Sequence, residues 1–227
     1  MPGKPKQPEQ PRKPLNRDRV LQAAVAFADE FGIESLSMRK LGDVLHVEAM
    51  SLYKHVANKD EILDGMVDLV AAEIEVPMIG GDWKKAMRRR AISAHNVLLR
   101  HPWATMMIVS RANVGVAMLR YVDATIGCLR GAGFSYPMAD HAWNAIDCYV
   151  YGFTLQKLNF PFKPSEYAQM AQSFLPMIPA SQYPFLHGLS LQVIKGEHDG
   201  IQQLELGLDL IHDGLEKMLI SPDSKHL

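Results

Sequence analysis

The stretch SMRKLGDVLHVEAMSLYKH, residues 37–55, decides the fold of this chain. Ser37 is a typical N-cap residue, and apolar side chains follow it at the spacing of one helix face: Met38, Leu41, Val44 and Leu45. A tight turn at His46-Val47 leads to a second short apolar–polar segment, Glu48 to His55. This pattern is typical of a helix-turn-helix, whose second helix can enter the major groove of DNA. It also fits a simple corner in an all-α protein, and the motif alone leaves both interpretations open.

Two longer helices flank this motif. Asn16 can cap a first helix, which Gly32 ends and whose apolar residues recur at a helical period: Val20, Leu21, Ala24, Val25, Ala28 and Phe31. Asn58 can cap a fourth helix, with Glu61 as its partner in a capping box, and Pro77 closes that helix. We therefore expect a helical unit over residues 15–76, with the helix-turn-helix at about residues 37–56.

The rest of the chain is also predicted to be helical, because strand-like alternation is absent. A linker over residues 77–81 precedes a C-terminal domain, residues 82–220, and the Pro-rich residues 161–184 are expected to form a short helix and loops. The predicted fold class is thus all-α. Four C-terminal helices are expected, namely Asp82 to just before His101, about Asn113 to Gly131, about Tyr136 to Asn159 with Ser135 as its cap, and about Asp199 to Leu219.

The composition of the 227-residue chain excludes several classes of protein. A formal charge of −1 with 48% hydrophobic residues is ordinary for a globular protein and excludes a polybasic tail protein or an acidic disordered activator. Two cysteines, Cys128 and Cys148, are too few for a disulfide scaffold or a CxxC-type zinc site. No apolar stretch of a signal peptide stands at the start, and the longest uncharged stretch carries three prolines. We expect a cytoplasmic protein without a membrane segment.

Charge is divided unevenly along the chain. Residues 1–59 contain ten basic and seven acidic side chains, whereas residues 60–227 contain fourteen basic and eighteen acidic ones. The first fourteen residues are rich in Pro and Lys and are predicted to form a disordered basic arm. Such an arm is either a solvating tail or an additional contact to DNA phosphates or the minor groove.

Two ordered runs of residues carry a resemblance to a known family. The first runs from Val20 to Ala24, from Phe31 to Leu41 and from Ser51 to Leu63; the second spans Leu206 to Lys217. Residues 15–66 resemble the DNA-binding domain of the tetracycline-repressor (TetR/AcrR) family of bacterial transcription regulators, and the second run resembles the last helix of its tetracycline-repressor subgroup. The resemblance implies an Ω-shaped homodimer with N-terminal helix-turn-helix domains and C-terminal helical bundles for ligand binding and dimerisation. It also implies a palindromic double-stranded DNA operator and repression of neighbouring genes until an effector releases the DNA.

By matching position, the resemblance implies nine DNA-contacting residues: Met38, Arg39, Ala49, Met50, Ser51, Tyr53, Lys54, His55 and Lys59. Ala49 and Met50 are small or flexible enough to approach base edges and thymine methyl groups. Tyr53 and Lys54 suit phosphate oxygens, and Lys59 adds its charge to the amides at the start of the fourth helix.

The chain departs from the family pattern at two places. His46 stands where the family usually has glycine, so we expect the turn to persist with a left-handed histidine at a higher conformational cost. The Asn and His that bind a magnesium–tetracycline chelate in the subgroup correspond to Arg90 and Ile108, which cannot coordinate magnesium. The expected effector is therefore a small hydrophobic molecule other than tetracycline–magnesium, and no cofactor or metal is expected.

Seven residues are candidates for the effector pocket: Arg90, Met106, Met107, Arg111, Trp143, Asp147 and Tyr151. Methionines suit an adaptable pocket but also fill loosely packed cores. Asp147, on an otherwise apolar helix, is either a ligand anchor or the partner of a neighbouring arginine.

The last predicted helix is apolar on more than one side, which favours contact with a second subunit. Its stripe of Leu204, Leu208, Ile211 and Leu215 is assigned to a dimer interface, together with the long helix near residues 136–159; a central helix in a monomer is the alternative. For the whole protein, the alternatives are a helical protein-interaction adaptor or a helical enzyme. The enzyme is disfavoured because the sequence lacks an HExxH motif, a nucleophile elbow and a phosphate loop, and no catalytic residue is assigned.

Overall fold

A computed structural model describes residues 14–112, 114–198 and 203–220. These residues form α-helices joined by turns and short 3₁₀ segments and contain no strand, in agreement with the predicted all-α class. The N-terminal helices are α1 (Arg17–Phe31), α2 (Met38–Leu45), α3 (Ala49–Leu52) and α4 (Lys59–Ala71). The C-terminal helices are α5 (Trp83–Arg100), α6 (Ala104–Ser110), α7 (Val116–Gly131), α8 (Tyr136–Asn159), α9 (Tyr167–Phe174), α10 (Pro184–Ile194) and α11 (Leu204–Ile220).

Side-chain caps start the N-terminal helices where the sequence indicates. The Asn16 side chain accepts a hydrogen bond from the Arg19 amide at 2.9 Å, and the Ser37 hydroxyl accepts one from the Lys40 amide at 3.3 Å. Gly32 follows α1 with a φ of +78°, a conformation that costs glycine little. Helix α1 packs against both α2 and α4, and α2 packs against α3; the fully buried side chains of this unit include Val20, Leu41, Leu52, Ile62 and Met66.

The C-terminal helices form a bundle in which α8 is central. Helix α8 packs against α5, α7 and α11, and α9 packs against α10. We call α1 to α4 the head and α5 to α11 the body. Helix α4 belongs to the head, and it also contacts α6 and α7 of the body. This arrangement makes α4 one of the elements through which the body can act on the head; the Asp29 carboxylate of α1, which accepts from Trp103 Nε1 at 2.7 Å, is another contact between them.

Several predicted boundaries are corrected by the structure. Helix α3 spans only Ala49–Leu52, because the backbone passes into turns before His55, and α4 ends at Ala71 rather than at Pro77. Helix α10 begins at Pro184, the last residue of the Pro-rich region, and continues to Ile194, where the sequence predicted no helix; a proline in the first turn of a helix loses no hydrogen bond. The predicted starts at Asn113 and Asp199 and the basic arm up to residue 13 lie outside the described residues. Within the described ranges, no helix is both long and apolar enough to cross a membrane.

Candidate functional site

The turn between α2 and α3 is held by backbone contacts that leave no room for a side chain at Gly42. A Cβ atom there would lie 2.8 Å from the Val47 carbonyl oxygen and 3.2 Å from the Ala49 nitrogen. The Val47 amide donates to the Gly42 carbonyl at 3.0 Å. His46 adopts the left-handed conformation, with φ 56° and ψ 45°, so the expectation drawn from its place in the turn is confirmed. The structure therefore has a compact helix-turn-helix with a histidine at the strained position.

The nine candidate DNA-contacting residues lie on the solvent side of this motif or at its edge. Leu52 and Val56 are buried against the head, so α3 and the turn after it keep their other side in solvent. Met50 is 74% exposed and Tyr53 46% exposed, so both side chains can contact a partner. The exposed members are Arg39, Met50, Tyr53, Lys54 and Lys59, and the half-buried ones are Met38, Ala49, Ser51 and His55.

The basic side chains of this face are available to an anionic partner. Among the described residues, none forms an ion pair with Arg39, Lys54 or Lys59. Lys59 is the first residue of α4, whose start is fixed by a reciprocal cap. The Asn58 side chain accepts from the Glu61 amide at 2.8 Å, and the Glu61 carboxylate accepts from the Ala57 amide at 2.6 Å.

The Glu61 carboxylate also ties this start to α1. Its hydrogen bond from the Ala57 amide and the ion pair with Arg17, 3.1 Å from Arg17 Nε, lower the pKa of Glu61. The start of α4 is thus held in place next to α3 and the turn after it, which we call the recognition segment. A helix start that is held in this way can present its backbone amides to a DNA phosphate.

A second group of polar residues is buried in the C-terminal body. Arg90 on α5 is completely buried, and its Nη2 donates to Asp147 Oδ1 on α8 at 2.5 Å. The other oxygen of Asp147 accepts from Trp143 Nε1 at 2.6 Å and from the Tyr151 hydroxyl at 3.1 Å. The Arg90 guanidinium lies over the ring of Tyr121 on α7, 4.7 Å from its centre. Burial raises the pKa of both tyrosines, so Tyr121 and Tyr151 stay protonated at neutral pH.

Comparison with known proteins identifies the family of this chain and covers most of its length. Residues 77–219 match the family model described as Tetracyclin repressor-like, C-terminal domain. This chain belongs to the tetracycline-repressor-like family of transcription regulators. The HTH-type transcriptional repressor DrrR1 of Streptomyces coeruleorubidus is 32% identical over 219 residues, covering 92% of this chain and 80% of that protein. The tetracycline repressor protein class D of Escherichia coli is 28% identical over 209 residues, covering 90% of this chain and 91% of that protein.

A solved structure of the family extends the likeness to the fold. The Streptomyces coelicolor TetR family protein ActR, crystallised in complex with actinorhodin, superimposes with a TM-score of 0.77 at 27% identity. The superposition covers 92% of this chain and 100% of ActR. The regulator described here therefore shares the family architecture in both its head and its body.

The candidate effector residues of this regulator separate into two places. Arg90, Trp143, Asp147 and Tyr151 meet in the buried cluster, whereas Met106 is 55% exposed on α6 and Met107 packs half-buried against the core. Arg111 lies outside the cluster, because the backbone is extended after α6 and turns its guanidinium toward α4. There Arg111 binds Asp64 at 2.7 Å and Asp60 at 3.2 Å. Tyr121 is a further member of this cluster that the sequence did not indicate, because a tyrosine on the apolar face of α7 gives no sign of an arginine above its ring.

The predicted dimer stripe on α11 is corrected by its burial. Leu204, Leu208 and Leu215 are at most 7% exposed within a single protomer, and Ile211 is half-buried. They fill the regulator's own core, because α11 packs on α8 and α5 through this side. The exposed apolar residues of α11 are Leu206, Leu210, Met218 and Ile220.

Proposed function

We propose that this regulator is a sequence-specific repressor that binds a palindromic operator as a homodimer and releases it when a small molecule occupies its C-terminal body. The observation that carries the proposal is the exposed face of the helix-turn-helix, where Met50, Tyr53 and Lys54 stand on a buried, capped scaffold. The repressors among its relatives support the same function.

The residues of this face divide by chemistry. Arg39, Ala49 and Met50 approach base edges in the major groove, where methyl and thioether groups can meet thymine methyls. Met38, half-buried at the start of α2, supports that face from its edge. The phosphate-contacting or base-flanking members are Ser51, Tyr53, Lys54, His55 and Lys59. In a two-fold dimer, the two recognition segments read half-sites about 34–36 Å apart, one turn of DNA.

The proposed dimer uses the outer sides of α8 and α11 in a four-helix interface. On α11 this side carries Leu206 and Leu210, 58% and 70% exposed. On α8 it carries Ala145, Cys148 and Gly152, all exposed and small enough for close helix approach. Two apolar leucines in solvent favour burial, and small residues opposite them let two helices approach each other closely.

Release of DNA requires that the body move α4, because α4 carries the start of the phosphate-binding face. Arg111 links α4 to the end of α6, and Asp68 links it to the start of α7. An effector among the body helices that favours a displaced α4 changes the spacing of the two heads. It can do so only by binding that state more tightly than the DNA-bound one.

Selection of binding sites from random-sequence duplex DNA tests this function. We expect enrichment of an inverted repeat and a nuclease footprint with two protected half-sites. Lys54→Ala and Tyr53→Phe should weaken binding to the selected site, whereas Lys195→Ala on the exposed end of α10 should not. No enriched sequence, together with no retardation of any duplex at low salt, would contradict the proposal and favour a protein-interaction adaptor.

A further inference from the structure

The buried cluster around Arg90 contains hydrogen-bond donors that nothing in the described chain satisfies. Two of the three guanidinium nitrogens, Nε and Nη1, are shielded from solvent and have no hydrogen-bond partner among the described residues. The Tyr121 hydroxyl is also shielded, and it lies near Arg90 without a hydrogen bond of ordinary geometry. Buried polar atoms in proteins are nearly always paired, so this concentration on two touching side chains indicates a missing acceptor.

Asp147 does not supply that acceptor. Its Oδ1 accepts from Arg90 Nη2 and its Oδ2 from Trp143 and Tyr151, and neither oxygen is hydrogen-bonded to the unpaired donors. The guanidinium and the carboxylate also cancel each other's charge inside the body. An additional anion would leave a net negative charge in a buried site, which is costly, whereas a neutral oxygen acceptor would not.

The surroundings of the unpaired donors are apolar and adaptable. Met87 lies one turn before Arg90 on α5 and Met118 one turn before Tyr121 on α7; both are buried. Cys128, further along α7, is 3% exposed, and burial raises the pKa of its thiol. Three aromatic side chains, Tyr121, Trp143 and Tyr151, complete the cluster.

We propose that the effector of this regulator is a neutral, largely apolar molecule with a carbonyl-type oxygen, which accepts hydrogen bonds from the Tyr121 hydroxyl and the Arg90 guanidinium. The inference rests on the proposed function, since it names the ligand class of the same C-terminal domain. One carbonyl oxygen has two lone pairs, so it can accept from the Tyr121 hydroxyl and from one of the two unpaired guanidinium nitrogens at once. The Asp147 carboxylate holds Arg90 in place and keeps the site neutral, so Asp147 is a positioning residue.

Calorimetric titration of the full-length protein with matched compounds tests the inference. The probes are two triplets with the same skeleton: fluorene, 9-fluorenone and fluorene-9-carboxylate, and diphenylmethane, benzophenone and diphenylacetate. We expect at least one ketone to bind about tenfold more tightly than its hydrocarbon and its carboxylate, the amount that one or two buried hydrogen bonds supply.

Tyr121→Phe removes the hydroxyl alone and serves as the deciding variant. It should abolish most of the ketone preference and leave hydrocarbon binding unchanged. Its melting temperature should not fall, because the lost hydroxyl has no partner to lose. Tyr136→Phe is the matched control: Tyr136 is an exposed tyrosine under another arginine, with Arg130 4.3 Å from its ring centre.

Several results would overturn the inference: no ketone binding, equal binding of ketone and hydrocarbon, preference for the carboxylates, or a ketone preference that survives Tyr121→Phe. A lower melting temperature of Tyr121→Phe would also count against it. DNA retardation by the same preparations separates the two proposals. Intact DNA binding without ketone preference rejects this ligand class alone, and ketone preference without DNA binding rejects the repressor function alone.

Discussion

The Asp68 carboxylate of α4 accepts a hydrogen bond from the backbone amide of Met118, in the first turn of α7, at 2.9 Å. Helix α7 begins after Gly115, which has no side chain to cap it, so a residue of the head provides the cap for a helix of the body. A Cβ atom on Gly115 would clash with the Asp68 carboxylate. Head and body therefore share one helix terminus, and both residues are needed for it.

Gly115→Ala should destabilise the protein by about 1–3 kcal/mol, because the added methyl group displaces Asp68 and breaks this cap. Denaturant unfolding followed by circular dichroism measures the loss. Gly188→Ala on α10 is the control, since nothing lies within 4 Å of the added atom there, and it should be neutral or stabilising. Equal behaviour of the two variants would argue against a shared terminus.

Arg111→Met should loosen α4 from the body with little loss of global stability. The pairs of Arg111 with Asp60 and Asp64 are partly exposed, so their removal should cost less than about 1 kcal/mol. Hydrogen exchange should nevertheless accelerate in α4 and remain unchanged in α5. Arg89→Met removes a comparable pair with Glu75, 3.0 Å apart, and should leave exchange in α4 as it is. Unchanged α4 protection in Arg111→Met would rule out this link.

His46→Gly should raise the melting temperature, because glycine adopts the left-handed turn conformation without the strain that His46 bears at φ 56°. The larger conformational entropy of glycine in the unfolded chain reduces the net gain to at most about 1 kcal/mol. His46→Val should have the opposite effect, since a β-branched residue tolerates this conformation poorly. A melting temperature for the glycine variant below that of the unaltered protein would contradict the strain argument.

Stability should fall between pH 7 and pH 5 through His212. Burial, and then the positive charges of Lys84 and Arg88, lower the pKa of His212 from 6.5 to about 4. Below pH 6.5 His212 is protonated in the unfolded chain, whereas in the folded protein it stays neutral down to about pH 4. The unfolding free energy therefore decreases as the pH falls through that interval. The contribution by pH 5 is about 2 kcal/mol, and burial of His95 acts in the same direction.

His212→Gln should flatten this pH dependence, while His141→Gln, at an exposed position of α8, should not. Urea unfolding at pH 7, 6 and 5 supplies the comparison. The acidic side chains with lowered pKa values, such as Glu61, lose their stabilising contribution only at lower pH, outside this range. If the unfolding free energy of His212→Gln falls from pH 7 to pH 5 as much as that of the unaltered protein, groups other than His212 govern the acid sensitivity.

Local signals made much of this fold predictable from the sequence. Asn16, Ser37, Asn58, Asp82 and Ser135 each cap the helix that the sequence assigns to them, because a cap depends only on residues within one turn. The short α3 was harder to delimit: four residues carry no full period, and its extent depends on how the head packs around Leu52.

Long-range packing explains what the sequence did not predict. The helix of Leu204 and Leu208 is apolar on two sides, and only its contacts with α5 and α8 decide which side is inside. The buried side includes the polar residue His212, which packs edge-on to Trp83. Because one core position is polar, the apolar pattern of the sequence does not identify this side as the buried one. In the same way, Arg90 and Asp147 are 57 positions apart, and their pairing through α5 and α8 has no local signature.

The most direct test of the central claim is the salt dependence of operator binding, measured by fluorescence anisotropy on the site selected from random DNA. We expect affinity to fall steeply with salt, and Lys54→Ala to weaken binding and lower the logarithmic salt slope by about 1. Scrambled DNA should bind at least about a thousandfold more weakly. A flat salt response, or equal affinity for selected and scrambled DNA, would contradict the central claim.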